Sequence, residues 1–364
     1  MAKRVKKSSE PVGARRAPVA LDLTQVIDQP RAVEILRKAV ASGRIHHAWM
    51  FHGPYGVGKF TAAQGFAVEL LTPIAGPPEE VGKVRELART RSHPDLHVVT
   101  RELASISRDE KVRASKQRTI AKEVLQEFLI EPAQRSAVLS TGSPASKVFI
   151  VDEAEILDSP QQNAILKTME EPPPGTVIIL VTRHEERLLA TIRSRCQRVG
   201  FSTLEAASLR AWSERAHPGV EALTRDWLLG ACDGSPGEFE LLLASGVSAW
   251  REVVGPLLSR AVDGNFPVEL GPSLSKLVDD RAKAVVEAGD VAGKDAANRI
   301  AAGQAFRLIA GELRREMRAR VQRGESAEAC LRGIDAVREG ERLLESNVRP
   351  EFAFEQIAVR LASA

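Results

Sequence analysis

The chain of 364 residues is long enough for two or three domains, and its 43% hydrophobic and 27% charged residues are typical of a soluble globular protein. A net charge of +3 does not identify a nucleic-acid binder, and one tyrosine with four tryptophans argues against an aromatic platform for stacking bases. No apolar run approaches the roughly 18 residues of a membrane span. The three cysteines are too far apart to indicate a zinc site or a disulfide framework. These features predict a cytoplasmic protein without membrane contact.

The first 20 residues form a basic segment. Its cationic side chains are Lys3, Arg4, Lys6, Lys7, Arg15 and Arg16. Only Glu10 opposes them in this segment. We expect either a disordered, solvated tail or a weak electrostatic contact with DNA phosphates.

A strand, a glycine-rich loop and a helix follow one another after an amphipathic helix near residues 33–40. The apolar run Ala48–Phe51 predicts a buried strand, and Thr61–Leu71 predicts the helix after the loop. Strand, loop and helix in this order are the context that a phosphate-binding loop requires.

The loop itself carries the pattern of a phosphate-binding loop in all but one position. The pattern residues are Gly53, Gly56, Gly58 and Lys59. Backbone N–H groups, the helix start and the lysine can together hold an anion. The next residue, however, is Phe60, which has no hydroxyl to bind Mg²⁺. Thr61 is rotated by about 100° around the helix and is predicted to point away, so we expect phosphate binding without efficient Mg²⁺-dependent hydrolysis.

An acidic pair ends a second predicted strand, Val148–Val151. Asp152 and Glu153 follow it directly. Ligands of parallel α/β sheets bind at the carboxyl ends of strands, where such a pair can hold Mg²⁺ and orient water. Capping of the next helix by Asp152 is the alternative.

The segment between these two motifs begins with a basic stretch. Its cations are Arg108, Lys111, Arg113, Lys116 and Arg118. It is predicted to be a solvated loop or a surface that faces DNA phosphates. An amphipathic helix with apolar residues at 124, 125, 128 and 129 is expected next.

A helix from about Pro160 to Glu170 is predicted to end at the prolines 172–174. Val177–Val181 is then another buried strand, and Arg193, Arg195 and Arg198 lie at the following helix end and strand.

Sheet signals fade after Leu204, and the remaining residues predict helices only. The expected segments are two or three short helices over 204–231, then 238–244, 248–262, 274–288, 292–322, 327–346 and 351–361. In the longest of them an apolar stripe is expected to pack among helices, formed by Ile300, Phe306, Leu308, Ile309 and Leu313.

Taken together, these blocks resemble the AAA+ subunits of the bacterial DNA polymerase III clamp loader. The resemblance rests on AWMFHGPYGVGKFTAA, SHPDLHVV, VFIVDEAEIL, NAILKTMEEPPPGTVIILVT and TIRSRCQRV, in that order. It is strong over about residues 26–201. It implies an α/β fold: an AAA+ P-loop domain with a parallel sheet over 21–203, a helical lid over 204–245 and an all-α collar over 246–364.

The resemblance also implies a role for the arginine of SRC, Arg195. In that family the arginine acts in trans, as a finger in the ATP site of the neighbouring subunit. The implied partners are the clamp-loader ATPase subunits and the delta subunit in a hetero-pentamer, the sliding clamp, and primed DNA through the complex. Asp152 and Glu153 would correspond to the Walker B acids.

Two further departures from the family pattern bear on activity. Glu238 stands near Gly234 and Ser235, where ATPase members often carry a basic residue. No cysteine precedes the HPDLHVV block, and His93 and His97 alone do not form the zinc site common in the family.

We therefore expect no zinc, and ATP or ADP bound weakly or not at all. The predicted role is a largely non-hydrolysing arm of the loader. The alternatives are an ATP-hydrolysing motor subunit of the loader and a stand-alone AAA+ ATPase.

Overall fold

The computed structural model describes residues 22–114, 119–139, 142–287, 294–345 and 348–362. These residues belong to two compact units that meet in sequence at Ser208 and Leu209. The predicted basic tail lies outside the described residues. Lys116 and Arg118 of the predicted basic stretch lie outside them as well. The predicted division of the helical part at residue 245 stays a prediction.

The first unit is built on a five-stranded sheet in the order β2-β3-β4-β1-β5, in which all neighbouring strands are parallel. The strands are β1 Ala48–His52, β2 Leu96–Val99, β3 Lys147–Val151, β4 Thr176–Thr182 and β5 Gln197–Gly200. The strands predicted from apolar runs agree with β1, β3 and β4 to within a residue or two. The parallel sheet confirms the α/β class.

Helices cover this sheet. They are α1 Pro30–Ser42, α2 Lys59–Leu71, α3 Pro78–Arg89, α4 Glu110–Arg113, α5 Lys122–Leu125, α6 Glu131–Gln134, α7 Ser159–Glu170 and α8 Ala190–Arg193. A widened π turn, Gln126–Ile130, joins α5 to α6. Pro132 lacks an N–H for the regular helical ladder, and the widened turn just before it accommodates that loss.

Successive side chains along each strand point to opposite faces of the sheet, so the core is divided between these two faces. Trp49 and Phe51 pack on one face with Phe66 of α2, and the Trp49 and Phe66 ring centroids are 4.9 Å apart. Met50 and Phe149 belong to the cluster on the other face. Each such side chain contributes about 1.5–3 kcal/mol when fully buried, so the sheet is a rigid base for the loops at its carboxyl edge.

The second unit is helical throughout its described residues. Its helices are α9 Ala206–Ala216, which begins just before the unit does, α10 Ala222–Ala231, α11 Pro236–Ser245, α12 Arg251–Val262, α13 Leu270–Glu287, α14 Lys294–Arg323, α15 Glu328–Glu345 and α16 Pro350–Ala362. These bounds confirm the predicted helices to within a few residues.

One residue of the predicted stripe on α14 is not buried. Phe306, Leu308, Ile309 and Leu313 are inaccessible to solvent, whereas Ile300 is 43% exposed. The small residues Ala297, Ala301, Ala302 and Ala305 take the buried positions of that part of α14. Including Ile300 in the packed stripe was therefore wrong.

Among the described residues no single helix is long and apolar enough to cross a membrane. One pair, Pro236–Ser245 with Val247–Val262, passes by length and composition only and is bent by 73°.

Candidate functional site

The glycine-rich loop connects β1 to α2 at the carboxyl edge of the sheet. Gly53, Gly56 and Gly58 have φ values of 138°, 67° and 98°, a region in which side chains other than glycine are strained. At Gly53 the space is closed as well, because a Cβ there would lie 2.2 Å from the carbonyl oxygen of Phe201. The three predicted glycines thus give the loop the sharp turns of a phosphate-binding loop.

Lys59 is the first residue of α2 and is 6% exposed. Its ammonium donates hydrogen bonds to the carbonyl oxygens of Gly53, at 2.8 Å, and Pro54. Burial lowers the pKa of Lys59 to about 8, and the nearby carboxylates of Glu155 and Asp152 oppose that fall. The lysine therefore lies inside the loop, bonded to the loop's own backbone.

Phe60 and Thr61 occupy the first turn of α2, and both are half-buried. The guanidinium of Arg91 lies 4.8 Å from the centroid of the Phe60 ring. The position that carries a Mg²⁺-binding hydroxyl in active loops therefore holds an aromatic ring with an arginine stacked on it.

Asp152 follows β3, as predicted. Its Oδ1 accepts a hydrogen bond of 3.0 Å from the backbone N–H of Glu153. Burial raises the pKa of Asp152 to about 6, against the effect of that hydrogen bond. This carboxylate lies at the carboxyl edge of the sheet, close enough to Lys59 for the two charges to interact.

Glu153 has a left-handed backbone conformation with φ at 51°. This conformation costs a residue other than glycine about 1–3 kcal/mol. Its carboxylate pairs with two arginines, at 3.4 Å from Nη2 of Arg101 and 3.6 Å from Nη2 of Arg183. The second predicted acid is therefore already engaged by cations of the same chain.

Three residues of this site, Arg101, Glu155 and Arg183, were not found from the sequence. Arg183 follows β4, and its Nε donates a 3.0 Å hydrogen bond to Glu155, whose side chain is only 2% exposed. The Arg183 guanidinium also lies 5.2 Å from the ring centroid of Tyr55, inside the glycine-rich loop. Because β4 lies between β1 and β3 in the sheet, a side chain at its carboxyl end meets both motifs. An arginine two residues after the predicted strand Val177–Val181 was the signal available.

Mg²⁺ with a nucleotide, which the family resemblance implies, does not fit these side chains. The hydroxyl is replaced by Phe60, and Glu153 and Glu155 are paired with arginines. Within the described parts of the chain, no group of three or more His, Cys, Asp or Glu residues is arranged to hold a metal ion.

Arg195 lies on the turn after α8, remote in sequence from the loop. Its side chain is 38% exposed, and it pairs with Glu170 at 2.8 Å and donates to the carbonyl oxygen of Thr191 at 3.0 Å. Ser194 donates to the same carbonyl oxygen, and Cys196 packs against the core cluster. In the segment Ser194–Cys196, therefore, the two flanking residues hold the turn in place, and the arginine between them lies on the surface.

A cleft of about 670 Å³ adjoins Arg195. Glu170, Glu171, His46 and His47 contribute to its lining. The two imidazole rings stack with centroids 4.5 Å apart. Arg195 thus lies beside an open surface rather than in the loop site of its own chain.

His93 and His97, which the sequence predicts not to bind zinc, contact other parts of the first unit. His93 is buried, and its Nδ1 accepts a hydrogen bond from the backbone N–H of Asp95. His97 stacks on Phe149, with 4.7 Å between centroids.

Two other predicted features have local partners. Glu238 pairs with Arg307 at 2.9 Å, and Ser235 caps α11 by accepting the N–H of Glu238. In the basic stretch, Arg108 pairs with Glu127 at 3.4 Å and Arg113 donates to the carbonyl oxygen of Ser107 at 2.6 Å. A contact of this stretch with DNA stays a prediction.

A parallel sheet with a phosphate-binding loop after β1, an acidic pair after β3 and helices packed on it defines an AAA+-type P-loop domain. Comparison with known proteins narrows the class. Residues 28–205 match the family described as DNA polymerase III, delta subunit. The match covers 178 of the 364 residues, so the chain is similar to this family over just under half of its length.

Two relatives named delta' subunits are similar to the chain in sequence. The chain is 31% identical to DNA polymerase III subunit delta' of Pseudomonas aeruginosa over 210 residues, which cover 57% of this chain and 59% of that protein. Identity with the delta' subunit of Bacillus subtilis is 30% over 183 residues, half of each chain. The matches thus span little more than half the length of these relatives. A solved structure of a gamma subunit-related protein from Thermotoga maritima aligns with 90% of this chain and 98% of its own, at 16% identity and a TM-score of 0.47.

Proposed function

We propose that this chain is the delta-prime subunit of a DNA polymerase III clamp loader and serves as a largely non-hydrolysing arm of that complex. Its proposed partners are the clamp-loader ATPase subunits and the delta subunit in a hetero-pentamer, the sliding clamp, and primed DNA reached through the complex. The proposed location is the cytoplasm. ATP or ADP binds its own loop weakly or not at all, and it holds no zinc.

The observation that carries this proposal is the position of Arg195. Its exposed guanidinium projects from a turn that is anchored on both sides, beside an open cleft. An arginine supplied in trans stabilises the charge that spreads over a phosphoryl group during transfer. The chain would then take part in ATP hydrolysis at a neighbour's site without hydrolysing ATP itself.

The ion pair of Arg195 with Glu170 is compatible with that role. Both side chains are well exposed, at 38% and 46%. Exposed pairs of this kind contribute about 0–1 kcal/mol. Turning Arg195 toward the phosphate of a neighbouring subunit therefore costs little for the ion pair. It also breaks the exposed hydrogen bond to the carbonyl oxygen of Thr191, which contributes about 1 kcal/mol.

The test is ATP turnover by a loader reconstituted with the subunits of the same organism, in the presence of clamp and primed DNA. Arg195→Ala is expected to lower turnover about tenfold or more, since a trans arginine contributes several kcal/mol to the barrier. Arg135→Ala is the matched control, because Arg135 is an exposed arginine of the same unit, 66% accessible.

Assembly is measured alongside by size-exclusion chromatography. An assembled complex whose turnover is unchanged by Arg195→Ala would contradict the finger. The SRC segment would then be structural, and the role of the chain would be to hold the ring.

A further inference from the structure

The carboxylates beside the glycine-rich loop are neutralised by cations of the same chain. The six side chains concerned are Asp152, Glu153, Glu155, Lys59, Arg101 and Arg183. Three carry a negative charge when ionised and three a positive charge. Arg101 also pairs with Glu102 at 3.4 Å, so Arg183 is the arginine that serves only Glu153 and Glu155 among these ion pairs.

Arg183 is the central member of this group. Its Nε lies 3.0 Å from Oε1 of Glu155, and its backbone N–H donates to Oε2 of the same carboxylate at 3.2 Å. Its Nη2 lies 3.6 Å from Glu153. One guanidinium therefore bridges two acids that follow the same strand, which a bound metal ion would otherwise do.

The contact with Tyr55 extends this bridge to the phosphate-binding loop. The guanidinium lies 5.2 Å from the Tyr55 ring centroid, within the range of a cation–π interaction. Glu155 is nearly inaccessible to solvent, whereas the Arg183 side chain is 38% exposed, so the pair lies where the buried region meets solvent. The strained backbone of Glu153 places its carboxylate between Arg101 and Arg183.

From this geometry we infer that Arg183 takes the place of Mg²⁺ between Glu153 and Glu155. The metal site is then missing for two separate reasons, the absent hydroxyl at Phe60 and the arginine at position 183. Restoring the missing hydroxyl alone does not restore Mg²⁺-dependent nucleotide binding, because the acids remain paired with arginine. Both changes are required. The inference concerns the loop of this chain and goes beyond the arm role, which would stand without it.

The experiment compares Phe60→Thr, Arg183→Gln and the double variant F60T/R183Q in the full-length chain. Thermal stabilisation by ADP is measured with MgCl2 and with EDTA. The wild type and each single variant are expected to show the same melting temperature with ADP under both conditions. The double variant is expected to gain a Mg²⁺-dependent increase of several degrees, as mass action requires for a ligand that binds only the folded state.

The matched control is F60T/R187Q, which removes an exposed arginine from the turn after Arg183. It is expected to behave like F60T alone. A Mg²⁺-dependent increase in F60T as large as in F60T/R183Q would overturn the inference, since the loop would then need only the hydroxyl. So would a folded double variant with no increase.

Arg183→Gln removes the ionic partner of the buried Glu155 and keeps the hydrogen bond from the backbone N–H of position 183, so it is expected to lower stability. The variant F60T/E155Q/R183Q keeps this position neutral while Asp152 and Glu153 remain. It is expected to show the same Mg²⁺-dependent increase, and a folded triple variant without it would also overturn the inference. The arm role is measured separately by Arg195→Ala in the loader, so the two proposals fail independently.

Discussion

Asp152 makes the stability of the first unit depend on pH in a direction that can be measured. Burial raises its pKa from 3.8 to about 6. Between these values the folded chain binds more protons than the unfolded chain, so this residue lowers the free energy of unfolding as pH rises from about 4 to about 6. Asp152→Asn removes this effect. We expect the free energy of unfolding of the variant to exceed that of the wild type by about 1–2 kcal/mol at pH 7. One pKa unit corresponds to about 1.4 kcal/mol, and partial solvent contact of Asp152 reduces the effect of its shift.

Urea unfolding at pH 4 and pH 7 measures this difference, which is expected to shrink toward pH 4. Asp158→Asn, at an exposed position just after the acidic segment, is the control for the removal of one carboxylate. A constant difference for Asp152→Asn at both pH values would contradict the prediction.

At the residue scale, motif spacing predicted the three glycines, Lys59 and Asp152, because local sequence dictates these positions. Arg183 and Glu155 escaped it, since their pairing depends on β4 lying beside both β1 and β3. Spacing along the chain contains no such information about strand order. The same limit applies to Arg91 on Phe60, a contact between α2 and the turn after α3.

Helix α2 shows how one element is tied to the start of the described chain. Gly65 lies in its middle, and a Cβ there would come within 2.5 Å of the backbone nitrogen of Leu23. The backbone cannot move aside as a flexible side chain would. Gly65→Ala is therefore expected to lower stability by about 1–3 kcal/mol, measured by native-state hydrogen exchange of the β1 amides.

Gly82 of α3 is the matched control. It is exposed, and no atom lies within 4 Å of its added Cβ. Gly82→Ala is expected to stabilise its helix by about 0.5–1 kcal/mol, through the higher helix propensity of alanine. Similar effects of the two substitutions would show that the backbone contact at Gly65 is unimportant.

At the element scale, apolar periodicity was a reliable guide where burial is strong. It predicted β1, β3, β4 and the helices from α9 onward. It missed α3, a polar helix in which only Ala88 is buried, because little of that helix faces the core. It also placed Ile300 in the packed stripe, since periodicity alone does not reveal that alanines fill the buried positions of that turn.

At the scale of the whole molecule, the glycine-rich loop and the segment Ser194–Cys196 predict that the partner subunits hydrolyse ATP and that this chain contributes an arginine to the reaction. The loop carries Phe60 and internally paired acids, whereas Arg195 projects beside an open cleft. We therefore expect the purified chain to be a monomer by light scattering. Its ATP turnover with primed DNA and Mg²⁺ should equal the buffer background. Turnover should appear when the partner ATPase subunits are added, and should fall when the added chain carries Arg195→Ala.

The partner subunits without this chain are the control, because they reveal how much turnover they support by themselves. Robust DNA-stimulated hydrolysis by the isolated chain would favour a motor subunit or a stand-alone ATPase instead. Such activity would require a metal site built without the Phe60 position and with Arg183 displaced from Glu153 and Glu155. Because Glu155 is 2% exposed, that displacement would remove the ionic partner of a buried carboxylate and leave it with hydrogen bonds such as that from the backbone N–H of Arg183. The cost of separating Arg183 from Glu153 and Glu155 is thus an argument for placing hydrolysis in the neighbouring subunit.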